Sequence, residues 1–215
     1  MNASAIKRRY RPNPSKRLRQ GDIFRDIMVI SWDIDESFLT AFEESLLKPR
    51  EQRILPNPNY DKLVFPYVVV VTQDCDLEHD YNNWTREDPQ KQDKIIPSVL
   101  VCPAYRVEEF KKGIHLVEIT GVRMREIGKN EFEKYIAKCR FNRYHYLVRD
   151  AGFEVPDLVL DFKHYFTVPV PVLYMMYNEI HFVASVNEVF REHLSQRFSE
   201  FLSRVGLPSG KVIIC

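Results

Sequence analysis

The chain has 215 residues, 45% of them hydrophobic and 28% charged, and a formal net charge of +1. That length can bury a core without staples, and the near-zero charge excludes a globally basic protein. No run approaches the roughly 18 apolar residues of a membrane span. The N-terminus has no apolar signal segment, and Cys75, Cys102, Cys139 and Cys215 are too sparse for a disulfide scaffold, which points to the cytoplasm.

Residues 1–20 read as a flexible basic arm carrying Lys7, Arg8, Arg9, Arg11, Lys16 and Arg17, interrupted by Pro12 and Pro14. Such an arm either holds phosphates by counterion release or stays a solvated tail. Residues 21–215 then read as a single α+β domain. Asp22 to Ser31 is a first strand or hairpin, and Asp35 can cap a helix from Glu36 to Leu47. The central strand comes next: Val68 to Val71 are four β-branched residues in a row, ending in Gln73-Asp74-Cys75-Asp76. Acids and a thiol after a core strand mark this turn as a candidate functional centre.

Glu78 to Lys94 is polar and reads as a long exposed loop. Ile95 to Cys102 is a buried strand that Pro103 ends, and Ile114 to Arg125 suggests further antiparallel strands broken by Gly121. Asn130 can cap a helix over Glu131 to Cys139, with Cys139 on its core face. Strands follow near Tyr144, at Leu158 to Phe162, at Tyr165 to Val168 and at Val172 to Met175. A helix from about Val186 to Val205 carries an apolar stripe with Phe190, Phe198 and Phe201, and Gly206 and Pro208 end it. The fold class is α+β and mainly β: a strongly bent antiparallel sheet or SH3-like barrel with peripheral helices. The stripe is large enough for a second copy to dock on it, so a homodimer is expected.

The order of short motifs resembles the MazF/PemK toxin-like family. The residues are Gly21-Asp22-Ile23, then Phe65-Pro66 leading into Val68–Gln73, then Val99-Leu100-Val101-Cys102-Pro103, and Val159-Leu160-Asp161. The resemblance implies an SH3-like barrel, endoribonuclease activity, a dimer and an antitoxin partner. Phe65 stands where that family usually has an arginine before the proline. The connection between the first two strands is longer here and contains a helix. Thr72 stands nearest the place of the family's catalytic hydroxyl.

Three chemistries are open. A metal-free ribonuclease would use Arg143 and His145 on one side of a strand, with Tyr144 and Tyr146 on the other as a stacking platform. A Mg²⁺ phosphodiesterase would draw on Asp74 and Asp76, with Asp161, Glu78 and Asp80 near them. A zinc or thiol site would draw on Cys75, His79, Cys102 and His145. No motif requires a cofactor. The expected function is nucleic-acid processing, a toxin-like endoribonuclease in its sharp form, with RNA or another single strand as partner. The alternative is a non-enzymatic protein-interaction or regulatory module on an SH3-like scaffold.

Overall fold

The computed structural model describes residues 9–11, 15–57, 59–84, 92–150, 152–178 and 180–204. Eight strands form one curled antiparallel sheet. They are β1 (Tyr10–Arg11), β2 (Asp22–Asp33), β3 (Asn59–Val70), β4 (Ser98–Arg106), β5 (Tyr144–Leu147), β6 (Leu158–Asp161), β7 (Phe166–Pro169) and β8 (Phe182–Val186), in the order β1-β8-β2-β3-β4-β6-β5, with β7 also on β4.

The central strand is β3, and its β-branched run is buried on both faces. Val68 and Val70 enter one apolar cluster with Phe24, Val99 and Tyr105. Val69 and Val71 enter the other with Ile23, Leu160 and Phe198. A strand covered on both sides needs no polar alternation, which explains the continuous apolar sequence. Pro103 does not end β4, contrary to its reading as a terminator. It pairs with Val68 on one side, while the other side changes partner there, from β7 at residues 98–101 to β6 at residues 104–106. The missing N–H falls at that changeover.

Seven helices surround the sheet among the described residues: α1 (Glu36–Leu46), α2 (Asp74–Trp84), α3 (Val107–Lys111), α4 (Val117–Thr120), α5 (Lys129–Glu131), α6 (Val170–Met175) and α7 (Glu188–Leu202). α1 stands where its periodicity and its Asp35 cap put it: the Phe38 N–H donates to Asp35 Oδ1 at 2.8 Å. α2 replaces the first part of the expected loop; residues 85–91 lie outside the described residues, and residues 92–94 are exposed and non-helical. α2 is anchored by little apolar surface. Leu77 and Asp80 are buried, and Asp80 accepts the Ile96 N–H at 2.8 Å. Residues 117–120 and 170–175 are helical rather than extended, and Gly121 closes α4 at φ 72°.

The basic arm is partly built into the fold. Tyr10 and Leu18 are buried, and β1 pairs with β8. Lys7 and Arg8 lie outside the described residues, as do Gly206 and Pro208. Helix α7 begins after β8, so Val186 belongs to a strand. Leu194, Phe198 and Phe201 face the core. That burial removes the reason for docking a second copy on this helix.

Candidate functional site

The acidic turn does not assemble free carboxylates. Asp74 opens α2 and is clamped from two sides. Arg17 donates to both its oxygens at 3.2 and 3.0 Å, Arg191 stands 3.4 Å away, and the Gln20 N–H donates at 3.3 Å. Burial opposes its charge, but the Arg17 hydrogen bond and the two guanidinium charges outweigh it and hold its pKa below the ordinary value. Asp76 is exposed, as is Lys16. The Thr72 oxygen accepts the Leu100 N–H at 2.7 Å, pinning the end of β3 to β4. Arg17 and Thr72 are thus each engaged in contacts within the fold.

β5 separates the expected Arg143/His145 pair. Arg143 precedes the strand and forks onto the buried Asp161, with Nε–Oδ1 at 2.7 Å and Nη2–Oδ2 at 2.5 Å. The Asp161 hydrogen bond is the main reason its pKa rises above the ordinary value. Its guanidinium also lies 5.0 Å from the Tyr144 ring centre. His145 points into the sheet's second face, beside Phe162 and 5.3 Å from the His193 ring. Burial first, then His193 and Arg197, push its pKa down to about 3. It is neutral at physiological pH. Arg143 and Tyr144 border one cavity of about 210 Å³, and His145 and Tyr146 border another. A cation and a general base acting on one phosphate would have to share a cavity.

The metal-ligating residues are likewise dispersed. Among the described residues no three His, Cys, Asp or Glu side chains come together in a group that could hold a metal ion. Cys102 is fully buried, its thiol 3.2 Å from the Asp161 carbonyl. Burial and Asp161 drive its pKa well above the ordinary value. Cys75 and His79 are exposed on α2.

The cavity that His145 and Tyr146 border is the better candidate. It holds about 310 Å³ at the sheet edge, where β1, β5 and α7 meet. Tyr10, Leu147 and Val186 are its buried walls, and the Tyr10 hydroxyl is held by the Val148 carbonyl at 2.8 Å. The polar lining is cationic or neutral. Arg9 lies 5.1 Å over the Phe190 ring, and Lys138 and His193 are exposed. None of the lining residues is acidic. Outside the lining, Asp157 accepts the Tyr146 hydroxyl at 2.6 Å and, after burial, raises its pKa, and Asp150 acts on Tyr10. His145 is 4% exposed, and its Nδ1 has no hydrogen-bond partner among the described residues. Of the arm and strand residues expected to bind nucleic acid, Arg9 and Tyr146 meet here. Arg11 turns toward Glu188, and Tyr144 packs edge-on against Phe110.

Lys138, Phe190 and His193 have no signature in the sequence that marks them as site residues. The helix after α5 passes into a wider turn over Phe132–Ile136, where Ala137 N donates to Phe132 O at 2.9 Å and Arg140 N to Tyr135 O at 2.7 Å. Such a turn shifts the helical register. Cys139 then follows at φ 50°, and the segment 137–139 faces the cavity instead of continuing a core stripe. Comparison with known protein families, with curated proteins and with solved structures found no match.

Proposed function

We propose that the protein binds single-stranded nucleic acid at this edge cavity, as a binding module rather than a nuclease. The carrying observation is the lining: cations and aromatic rings without a carboxylate. Single strands are held by a cationic track plus rings on which bases stack. Arg9 over Phe190 supplies both features in one contact, and Tyr146 is half-buried on the other side. The unpaired His145 Nδ1 gives a base edge or phosphate a fixed polar contact in an apolar floor. RNA is the preferred polymer on the strength of the MazF/PemK-like motif order. The separation of Arg143 from His145 argues against cleavage by that pair.

Anisotropy titration with a labelled single-stranded RNA tests this, with the RNA run on a gel afterwards with and without Mg²⁺, Mn²⁺ or Zn²⁺. Binding should fall with salt, and Arg9→Ala and Lys138→Ala should each weaken it roughly five- to tenfold at low salt. The RNA should remain intact. Affinity unchanged by both substitutions would reject the site, and cleavage abolished by Arg143→Ala would restore the nuclease.

A second reading, self-association, rests on a separate observation. Ten of the twenty exposed large apolar side chains among the described residues fall between residues 28 and 64. They lie on the outer part of the β2–β3 hairpin, on the helix it carries and on the segments that join that helix to the strands. The segment carries both signs, with Asp35, Glu36, Glu43, Glu44 and Glu51 against Lys48, Arg50 and Arg53. We therefore assign the dimer contact to this hairpin rather than to α7. Light scattering across the micromolar range should give a dimer that Ile30→Lys with Val64→Lys dissociates; a monomer throughout would reject it.

A further inference from the structure

A cavity of about 280 Å³ lies between α2 and α6 and shares no lining residue with the edge cavity. Tyr81 and Trp84 of α2 form one wall; Val170, Pro171 and Tyr174 of α6 form the other. Tyr81 and Trp84 are three positions apart, so their rings leave the helix on one face. Both walls are tied to the same short segment. The Ile96 N–H donates to Asp80 at 2.8 Å, and the Val170 N–H donates to the Pro97 carbonyl at 3.2 Å. The space between the helices is therefore built into the fold. It is also open, since the Trp84 ring is 59% exposed.

The polar atoms of two of the three rings are turned away from this space. The Trp84 side chain hydrogen-bonds to the Asp80 carboxylate, and the Tyr174 hydroxyl accepts the Leu18 N–H at 3.5 Å. Asp80 is the independent observation. It is 1% exposed, it stands behind the Trp84 indole, and it is in no ion pair among the described residues. Buried carboxylates are ordinarily paired with a cation. Burial, the largest cause, raises its pKa, while the Ile96 N–H and Trp84 favour its charged form. The helix offers no neutralising partner: α2 carries Asp74, Asp76, Glu78 and Asp80 and no lysine or arginine. Arg17 acts on Tyr174, but its guanidinium is held by Asp74 and Glu78.

We infer that this cavity binds a quaternary ammonium group on a free, choline-sized solute. Tryptophan and tyrosine rings attract a cation through their faces, and the unpaired Asp80 charge behind the indole adds to that attraction. A primary ammonium or a guanidinium fits less well. Its N–H donors would leave water for a wall of rings, Val170 and Pro171, and a donor left unpaired is costly. A quaternary ammonium has no N–H to lose. An extended proline-rich peptide fits less well too, because it needs a groove that follows its chain. The five lining residues form one socket.

Calorimetric titration of the full chain decides it, with three probes of one skeleton. They are choline, ethanolamine, which carries a primary ammonium instead, and 3,3-dimethyl-1-butanol, the neutral carbon counterpart of choline. Saturable choline binding at least about tenfold tighter than that of either other probe is expected. Trp84→Ala should weaken choline at least about tenfold, and the exposure of that ring lets the variant fold. Asp80→Asn keeps an oxygen for the Ile96 N–H. It should weaken choline about threefold or more while leaving dimethylbutanol unchanged; a carboxylate that only holds α2 in place would weaken both alike. Arg9→Ala should leave choline binding unchanged, which separates this site from the nucleic-acid reading. Choline no tighter than dimethylbutanol, or indifferent to Trp84→Ala, would overturn the inference. A trimethyl-lysine peptide binding more than about tenfold tighter than choline would overturn the free solute in favour of a partner's side chain.

Discussion

β2 and β3 pair along almost their whole length, yet the two halves of that hairpin live in different surroundings. In the inner half, Ile23, Phe24, Val68 and Val69 are fully buried, and β8 and β4 flank the pair. In the outer half, Met28, Ile30, Tyr60 and Val64 are 48–55% exposed, and the strands pair only with each other. The break falls at Asp26, which adopts φ 56° opposite Pro66, between the pairs Arg25↔Tyr67 and Ile27↔Phe65. Pro66 offers no N–H there, so the ladder is interrupted where the hairpin leaves the sheet. The outer half is not polar for all its exposure. Ile27 and Phe65 are buried and Val29 and Leu63 are half-buried on its other face. Apolar residues on both faces are the pattern of a strand covered twice. One cover is provided by this chain, and the other face is exposed among the described residues.

The largest expected effect separates the halves by stability. Phe24→Ala removes a ring packed within 5.9 Å of both Tyr177 and Phe182 and should cost about 3–5 kcal/mol. Met28→Ala or Ile30→Ala, four and six residues along the same strand, should stay within about 0.5 kcal/mol in the monomer. Urea denaturation at low protein concentration measures both. A cost above about 2 kcal/mol at Ile30 would mean that the outer half is already covered.

Acid should act mostly through the buried, strongly shifted groups, which lie away from the exposed face of the outer half. His145 has a folded-state pKa of about 3 against an ordinary 6.5. Its neutral form is therefore preferred on folding. Its contribution is fully present above pH 6.5 and is lost as pH falls toward 3. His115 acts the same way toward about 4. Asp22 has the opposite sign. Burial raises its pKa to about 6, so its contribution is present below about pH 4 and is lost as pH rises through 6. His145→Leu should remove about 2–3 kcal/mol of acid sensitivity between pH 6.5 and 4, less than the full shift implies because protonation admits water. An unchanged acid slope in that variant would show that His145 is hydrated in the native state.

A smaller effect is expected at the boundary itself. An L-residue in the left-handed region is strained by about 1 kcal/mol, which glycine avoids. Asp26→Gly should raise stability by up to about that amount. A loss instead would show that the Asp26 side chain holds the two halves together.

The inner half was legible in the sequence and the outer half only partly. Val68–Val71 marks a strand covered twice, and the Asp35 cap marks α1, since both signals are local. α2 was hidden because Asp74–Trp84 has almost no apolar periodicity; a buried carboxylate and one leucine anchor it. β8 was hidden because Phe182–Val186 runs into a helix and shares its apolar character. The site was less legible still. Nothing local says that Arg143 will meet Asp161 eighteen positions later, or that Arg17 and Arg191 will clamp Asp74. Those pairings engage four candidate site residues, Arg17, Asp74, Arg143 and Asp161, with one another or with Arg191. The edge cavity depends on a register shift after Phe132 that composition does not encode.

The smallest effect tests whether the outer half is energetically separate. Helix α1 buries only Ser45, and its 11 residues are fewer than an isolated helix in water needs, roughly 12–15. Its supports are local. Asp35 accepts from Phe38 N and from the Ser37 hydroxyl, Phe38 and Phe42 stack at 6.0 Å, and Arg53 donates to the Leu46 and Lys48 carbonyls. The Phe38 hydrogen bond also holds the Asp35 pKa below the ordinary carboxylate value. The cap is thus present above that value and is lost as pH falls through the lowered one. Asp35→Ala should speed hydrogen exchange of the α1 amides roughly fivefold. The amides of Val68–Val70 and the urea midpoint should not move. If a second copy covers the helix as proposed, the α1 exchange should slow again at high protein concentration. If Asp35→Ala shifts the global midpoint instead, α1 is part of the cooperative core. The contrast between the two halves would then be one of exposure alone.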